Sequence, residues 1–240
     1  MNIPILFENE NYVFANKPSG LLSIADRHNE EIPSLHRELM NKYNIDLFII
    51  HRLDKETSGC ICLAKNKEAH RHASLQFEHR EVTKIYHCIV HGKLPKEEGT
   101  IQEAIMEHPT IKGKMVVNHK QGKESITAYK VLETYGLYSH VACTLLTGRT
   151  HQIRVHMANA GCPILCDSLY GKSEEIYISN IKKRYKLSKN DEEEKPILNH
   201  LALHAHTLSL KDINNTPIHT EAPLPKELKA LLNQCKKWLI

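Results

Sequence analysis

No stretch of this sequence approaches the roughly 18 uninterrupted apolar residues that a membrane-spanning helix needs. The N-terminal octet Met1-Asn2-Ile3-Pro4-Ile5-Leu6-Phe7-Glu8 has neither a basic leader nor a long apolar core. Membrane insertion and secretion are not expected, so the glycosylation-type triplet Asn214-Asn215-Thr216 carries no meaning. Paired Cys-x-x-Cys sets are also missing. The seven cysteines, Cys60, Cys62, Cys88, Cys143, Cys162, Cys166 and Cys235, are odd in number and sit mostly inside apolar runs, which points to reduced thiols in a cytoplasmic protein. No internal repeat recurs at a fixed period. Gly171-Lys172-Ser173 ends like a phosphate-binding loop, but Cys166 stands where that loop needs its first glycine.

A strong charge of one sign is lacking too. The formal net charge is +4, a mildly basic balance that permits a polyanionic partner without demanding one. Seventeen histidines raise the question of metal, above all His200, His204 and His206, or His70 with His72. No carboxylate lies at ligand spacing beside them, so no metal is expected. Cys60 and Cys62 alternate with Ile61 and Leu63 in an apolar run, a pattern of packing rather than ligation.

What is present is enough apolar sequence for one sizeable core: 240 residues, 41% of them apolar and 25% charged. One domain spanning 1–240 is expected. Ile5 to Lys17 reads as a strand or hairpin closed by Lys17-Pro18-Ser19-Gly20, and Ser34 to Tyr43 as a short helix. Leu47-Phe48-Ile49-Ile50 is a continuous apolar run that predicts a buried strand, stopping abruptly at His51-Arg52-Leu53-Asp54. Gly59 to Ala64, Ile85 to Val90, Ile126 to Leu132, Tyr138 to Leu146 and Leu201 to Leu210 read as further strands. Helices are predicted over Lys67 to Arg80, from a Thr150 cap to about Ala160, and over Pro225 to Leu239, whose Leu228, Leu231, Leu232 and Cys235 share one side. The fold class is therefore α+β, with a mixed, largely antiparallel central sheet flanked by helices and loops. Between about 172 and 199 the chain turns polar, with Lys182-Lys183-Arg184-Tyr185-Lys186 and then Asp191-Glu192-Glu193-Glu194-Lys195. This is a charged excursion: either a solvated loop or short charged helix, or an RNA-contacting finger built on its basic half.

Three segments at predicted element ends carry the reactive side chains: His51-Arg52-Leu53-Asp54, Lys84-Ile85-Tyr86, and Gly148-Arg149-Thr150-His151-Gln152-Ile153-Arg154-Val155-His156. Together they offer one carboxylate, a phenol and several guanidinium groups, without the second dedicated carboxylate that glycoside hydrolysis needs. A carboxylate kept ionised by an arginine can serve as nucleophile or base. Taken alone, Asp54 could equally end a strand by pairing with Arg52.

The order and wording of these segments resemble the RluA-like family of RNA pseudouridine synthases. The matching stretches are Asn16-Lys17-Pro18-Ser19-Gly20, His51 to Gly59, Lys84-Ile85-Tyr86 running into Val90-His91-Gly92, Leu146 to His156, and Leu201-Ala202-Leu203-His204-Ala205. The resemblance spans nearly the whole chain, departing in the excursion after Tyr170-Gly171 and in starting directly with the catalytic region. It implies the pseudouridine synthase fold without a separate N-terminal RNA-binding module.

It further implies that Asp54 drives cleavage between ribose and uracil N1, that Tyr86 stacks on the target base, and that Arg154 pairs with Asp54. Arg52 would fill the space left by the flipped uridine, since a base must leave its stack before chemistry can reach it. Lys17, Lys55, Arg149 and His151 would contact phosphate. No cofactor is implied; the partner is ribosomal or transfer RNA, and a monomer is expected. Alternatives are an RNA-binding protein that does no chemistry on the same fold, or a nucleosidase, which would call for a metal or acidic cluster to activate water.

Overall fold

The computed structural model describes residues 2–26, 29, 31–187 and 192–239. Residue 191 of the expected acidic run lies outside the described residues. In chain order the elements are β1 (Ile5–Glu8), β2 (Tyr12–Lys17), α1 (Leu35–Tyr43), β3 (Phe48–Ile49), β4 (Ser58–Ala64), α2 (Lys67–Glu78), β5 (Thr83–His91), β6 (Glu98–Gln102), β7 (Ile105–Glu107), β8 (Met115–Val117), β9 (Ile126–Tyr135), β10 (Tyr138–Leu145), α3 (Gln152–Asn159), β11 (Leu203–Lys211), β12 (Pro217–Glu221) and α4 (Lys226–Trp238), with one 3-10 turn at Ile178–Asn180. None of the described helices is long and apolar enough to cross a membrane. The chain divides into two compact units. Met1–Tyr86, Thr144–Leu146 and His204–Pro223 form the first, and His87–Cys143, Thr147–Leu203 and Leu224–Ile240 the second.

In the first unit the strands run β1-β2-β4-β11, with β3 beside β4 and β12 beside β11. All these pairs are antiparallel except β4 with β11, where His204 and Ala205 stand opposite Ser58 and Gly59. Because side chains alternate along a strand, β2 and β4 supply two cores. Tyr12, Phe14, Cys60, Cys62 and Ala64 pack with Ala69 and Ala73 of α2. Val13, Ala15, Ile61 and Leu63 pack with Leu35 and Leu39 of α1. A strand covered on both faces must be apolar throughout, and every residue of β4 is buried. Gly59 is obligatory there: its φ is +114°, and a Cβ would collide with the Ala205 backbone.

The helix ends follow local chemistry. Ser34 accepts a hydrogen bond from the Arg37 N–H, and Asn66 one from the Ala69 N–H, each satisfying a donor of the first turn. The expected strand over Leu47–Ile50 is corrected in extent and burial. Only Phe48 and Ile49 join the ladder, opposite Ala64 and Leu63, and both are half-buried.

The second unit orders its strands β10-β9-β6, with the part of β5 from His87 onward beside β10. Strand β6 pairs antiparallel with β9, and β7 with β8 forms a separate two-stranded ribbon. Helix α4 buries Leu228, Leu231 and Cys235 on one side. All seven cysteines are free thiols. Between 172 and 199 the described residues form only the 3-10 turn and one isolated bridge, Ile176 with Leu198. Thr150 does not cap α3. Helix α3 begins at Gln152, His151 precedes it at φ 55° without a side-chain cap, and Thr150 is exposed.

Candidate active site

The segment from His51 to Thr57 leaves the sheet because a side chain takes over its ladder. After the Ile49 to Leu63 pairing, the next inward N–H of β4 belongs to Cys62, and it donates to His51 Nε2 at 3.1 Å. The imidazole also stacks on Phe77 of α2, centroids 4.8 Å apart. Burial, with the Lys84 charge nearby, pushes the His51 pKa down to about 3, so the ring is neutral and accepts through Nε2 with its proton on Nδ1. His51 is a latch and not a titrating base.

Beyond the latch, four successive carbonyls are each held. Leu53 O accepts from Ser23 Oγ at 2.7 Å, and the same hydroxyl takes the Leu53 N–H at 3.0 Å. Asp54 O accepts from the Thr57 N–H at 3.1 Å. Lys55 O accepts from Lys17 Nζ at 2.9 Å and from the Gly20 N–H at 3.0 Å, and Glu56 O from Ser19 Oγ at 2.7 Å. The turn after β2 is thus a clamp on the loop that carries Asp54, and Gly20, at φ +82°, supplies the turn it needs.

This geometry corrects one expectation. Lys17 is fully buried, and its ammonium donates to Pro18 O, Leu21 O and Lys55 O at 3.0, 2.7 and 2.9 Å. An ammonium has three donors, so none is left for phosphate. Burial lowers its pKa to about 8, a shift opposed by the charges of Glu56 and Asp54. Arg52 and Lys55 are by contrast exposed on either side of the half-buried Asp54. Tyr86, at the point where β5 leaves this unit, packs against the core that contains Ile61 and Leu63. Its phenol is held well above the usual range by burial and then by the Asp54 and Cys60 charges. The first unit therefore brings Asp54 and Tyr86 into electrostatic reach of one another, with the phenol neutral.

In the second unit, Gln152 organises the chain entering α3. Thr147 Oγ1 takes the Ile126 N–H at 2.8 Å and donates to Gln152 Oε1 at 2.8 Å, which also accepts the Arg149 N–H at 3.1 Å. That bridge does the work expected of a Thr150 cap. Gln152 Nε2 returns to Ile126 O and Thr127 Oγ1 at 3.0 and 2.9 Å. Arg149 Nε donates to Glu124 O at 3.2 Å.

Arg154 is only 4% exposed and forms a bidentate pair with Asp167: Nε to Oδ2 and Nη2 to Oδ1, both 2.8 Å. Asp167 Oδ1 further accepts the Leu169 and Tyr170 N–H groups at 3.0 and 3.1 Å. The Tyr170 ring lies 5.0 Å from the guanidinium carbon, and its hydroxyl meets the Met115 N–H at 2.7 Å and His151 Nδ1 at 2.8 Å. Asp167 and Tyr170 escaped the reading of the sequence. The signal was there: Asp167 follows the run Pro163-Ile164-Leu165-Cys166, where a carboxylate must find a partner to be buried. Among the described residues, no group of three or more His, Cys, Asp or Glu is placed to hold a metal ion.

An α+β fold that offers a clamped carboxylate loop, a neutral phenol and a buried, fixed arginine has counterparts among known proteins. The solved structure of human RNA pseudouridylate synthase domain containing 1 superposes with a TM-score of 0.70 at 26% identity, covering 98% of this chain and 95% of that one. The chain is 36% identical over 237 residues to the ribosomal large subunit pseudouridine synthase D of Buchnera aphidicola, covering 96% of this chain and 72% of the relative. It is 34% identical over 238 residues to the protein of the same name from Neisseria meningitidis serogroup B, covering 97% of this chain and 61% of that relative. Against the dual-specificity RNA pseudouridine synthase RluA of Vibrio cholerae the identity is 36% over 174 residues, 72% of this chain and 71% of the relative. The model of the RNA pseudouridylate synthase family matches residues 11–159, and the chain belongs to that family of isomerases acting on RNA.

Proposed function

We propose that this protein converts specific uridines in ribosomal or transfer RNA to pseudouridine, acting as a cytoplasmic monomer with Asp54 as its essential carboxylate. The observation that carries the reading is the clamp: four consecutive carbonyls from Leu53 to Glu56 are hydrogen-bonded, so the backbone presenting Asp54 is fixed before substrate arrives. Fixed geometry matters for an isomerisation that must break the bond from ribose C1′ to uracil N1 and form one from C1′ to C5. Asp54 supplies the anionic oxygen that drives the first step. The detached base then rotates, rejoins through C5, loses the C5 proton and gains one at N1, so atoms balance without a cofactor.

Tyr86 is assigned to stack on the target base. As a neutral phenol it accepts the C5 proton only while passing its own onward, which suits a relay rather than a free base. Arg154 is assigned as the partner of Asp54, and Asp167 with Tyr170 to hold Arg154. Exposed Arg52 is assigned to the gap left by the flipped uridine, and Lys55, Arg149 and His151 to phosphates. Two of the relatives named above are called ribosomal large subunit enzymes, which favours ribosomal RNA as the substrate.

The test is pseudouridine mapping of total RNA from cells with and without the protein, repeated with Asp54→Asn. Loss of signal at one or a few positions, unrestored by the variant although it binds RNA within a few-fold of wild type, is the expected result. An unchanged map would leave an RNA-binding protein without chemistry.

A further inference from the structure

The second unit holds an exposed surface that the site does not use. Trp238, the single tryptophan of the chain, ends α4 and is 41% exposed. Two ammonium groups face its ring: Lys182 Nζ at 4.6 Å from the centroid and Lys237 Nζ at 5.1 Å. Its Nε1 donates to Gln234 Oε1 at 3.2 Å, one turn back on the same helix. Lys183, Arg184, Lys186 and Lys236 stand exposed in the same two segments. These six cations belong to a chain whose formal net charge is only +4. Opposing charges lie in the same unit, with Glu192 and Glu193 exposed further along the excursion. Glu133 meets Lys236 at 3.7 Å on an exposed edge, and Glu194 accepts the Ser179 N–H at 2.9 Å.

We propose that this surface, the basic segment 182–186 with the end of α4, is a second RNA-contact site that grips the substrate strand away from the target uridine. The partner, RNA, follows from the pseudouridine synthase reading, and the mode of contact from the geometry. An indole face attracts cations through its quadrupole, which draws Lys182 and Lys237 onto the ring and ties the basic segment to the helix. Each ammonium keeps donors for phosphate oxygens. The exposed part of the indole is a flat apolar surface inside a field of positive charge, the pairing of stacking platform and phosphate contacts by which single-stranded nucleic acid is held without sequence preference. An acidic protein or an anionic membrane would use the charge but has no base to lay on the ring.

A lone tryptophan makes the proposal directly readable. The full-length protein is titrated with a short oligouridylate while Trp238 fluorescence is followed at several salt concentrations. Stacking predicts strong quenching that saturates with binding measured independently by anisotropy of labelled RNA. Lys182→Glu combined with Lys237→Glu should weaken binding by roughly tenfold or more and lower the log–log salt slope by about 1.4, since each single-strand phosphate contact contributes about 0.7. The milder Lys182→Gln with Lys237→Gln removes the same two contacts and should lower the slope by the same amount with a smaller loss of affinity, and Trp238→Phe should cost affinity without altering the slope.

Binding with no change in Trp238 emission, or an unaltered slope in both lysine pairs while their melting matches wild type, overturns the proposal. Quenching by inorganic polyphosphate or anionic vesicles equal to that by oligouridylate also overturns it, because the contact would then be with charge alone. Its failure is separable from failure of the catalytic reading: the lysine variants can be mapped for pseudouridine in cells whatever the titration shows.

Discussion

The two units hold their key side chains by opposite means. In the first, the loop bearing Asp54 is fixed through its main chain: carbonyl after carbonyl is taken by Ser23, Thr57, Lys17, Gly20 and Ser19. In the second, Arg154 is fixed through its own head group, bidentate on Asp167 beneath the Tyr170 ring. A clamp on the backbone positions Asp54 through main-chain contacts, which suits the reactive role proposed for it. A clamp on the guanidinium commits two donors of Arg154 and fixes the direction of the remaining edge, which suits the supporting role proposed for it.

The comparison is broken most severely at Asp167. Asp167→Asn leaves a buried guanidinium without its carboxylate, so stability should fall by about 3–5 kcal/mol in urea unfolding, close to the whole margin of many domains. A loss under about 1 kcal/mol would mean that Arg154 is held mainly elsewhere.

Lys17→Met tests the other side with a smaller effect. Removing the ammonium strands the carbonyls of Pro18, Leu21 and Lys55, an expected cost of about 2–3 kcal/mol. Turnover should drop because the Asp54 loop loosens, while the salt dependence of RNA binding stays as in wild type. Lys55→Met should do the reverse, lowering the salt slope and leaving stability nearly unchanged. A reduced salt slope in Lys17→Met would return Lys17 to the phosphate contacts.

Much of this was legible in the residues because strand and helix patterns are local. The uninterrupted apolar stretch Gly59 to Ala64 announced a doubly covered strand, and Ser34 its helix start. The motif around Asp54 likewise showed in residue types and order. What stayed hidden depends on partners distant in sequence. Lys17 looks like any surface cation until its ammonium is seen to reach across to Lys55, and the two-residue β3 is short because His51 ends it. Thr150 has the chemistry of a cap, but Gln152, bonded to Thr147 and Ile126, shapes the turn instead. Single side chains that replace a backbone partner leave no periodic trace.

His51 sharpens the comparison further, since it sets where the clamped loop begins. Its folded pKa of about 3 lies below the ordinary 6.5, so as pH falls below 6.5 the unfolded chain takes up a proton that the folded latch refuses. The contribution is complete above pH 6.5 and is lost as pH descends toward 3, amounting to on the order of 3 kcal/mol by about pH 4. His91, His156 and His206, also lowered by burial, act in the same direction and remain in a single variant. His51→Gln retains an acceptor for the Cys62 N–H but cannot take a proton. It should be about 1–2 kcal/mol less stable at pH 7, having lost the stack on Phe77. Its stability should then fall less steeply with acid, so that the two curves converge and cross between pH 6.5 and 4. Parallel curves would show that His51 titrates as it does in the unfolded chain, and that the Asp54 loop is not latched through a neutral imidazole.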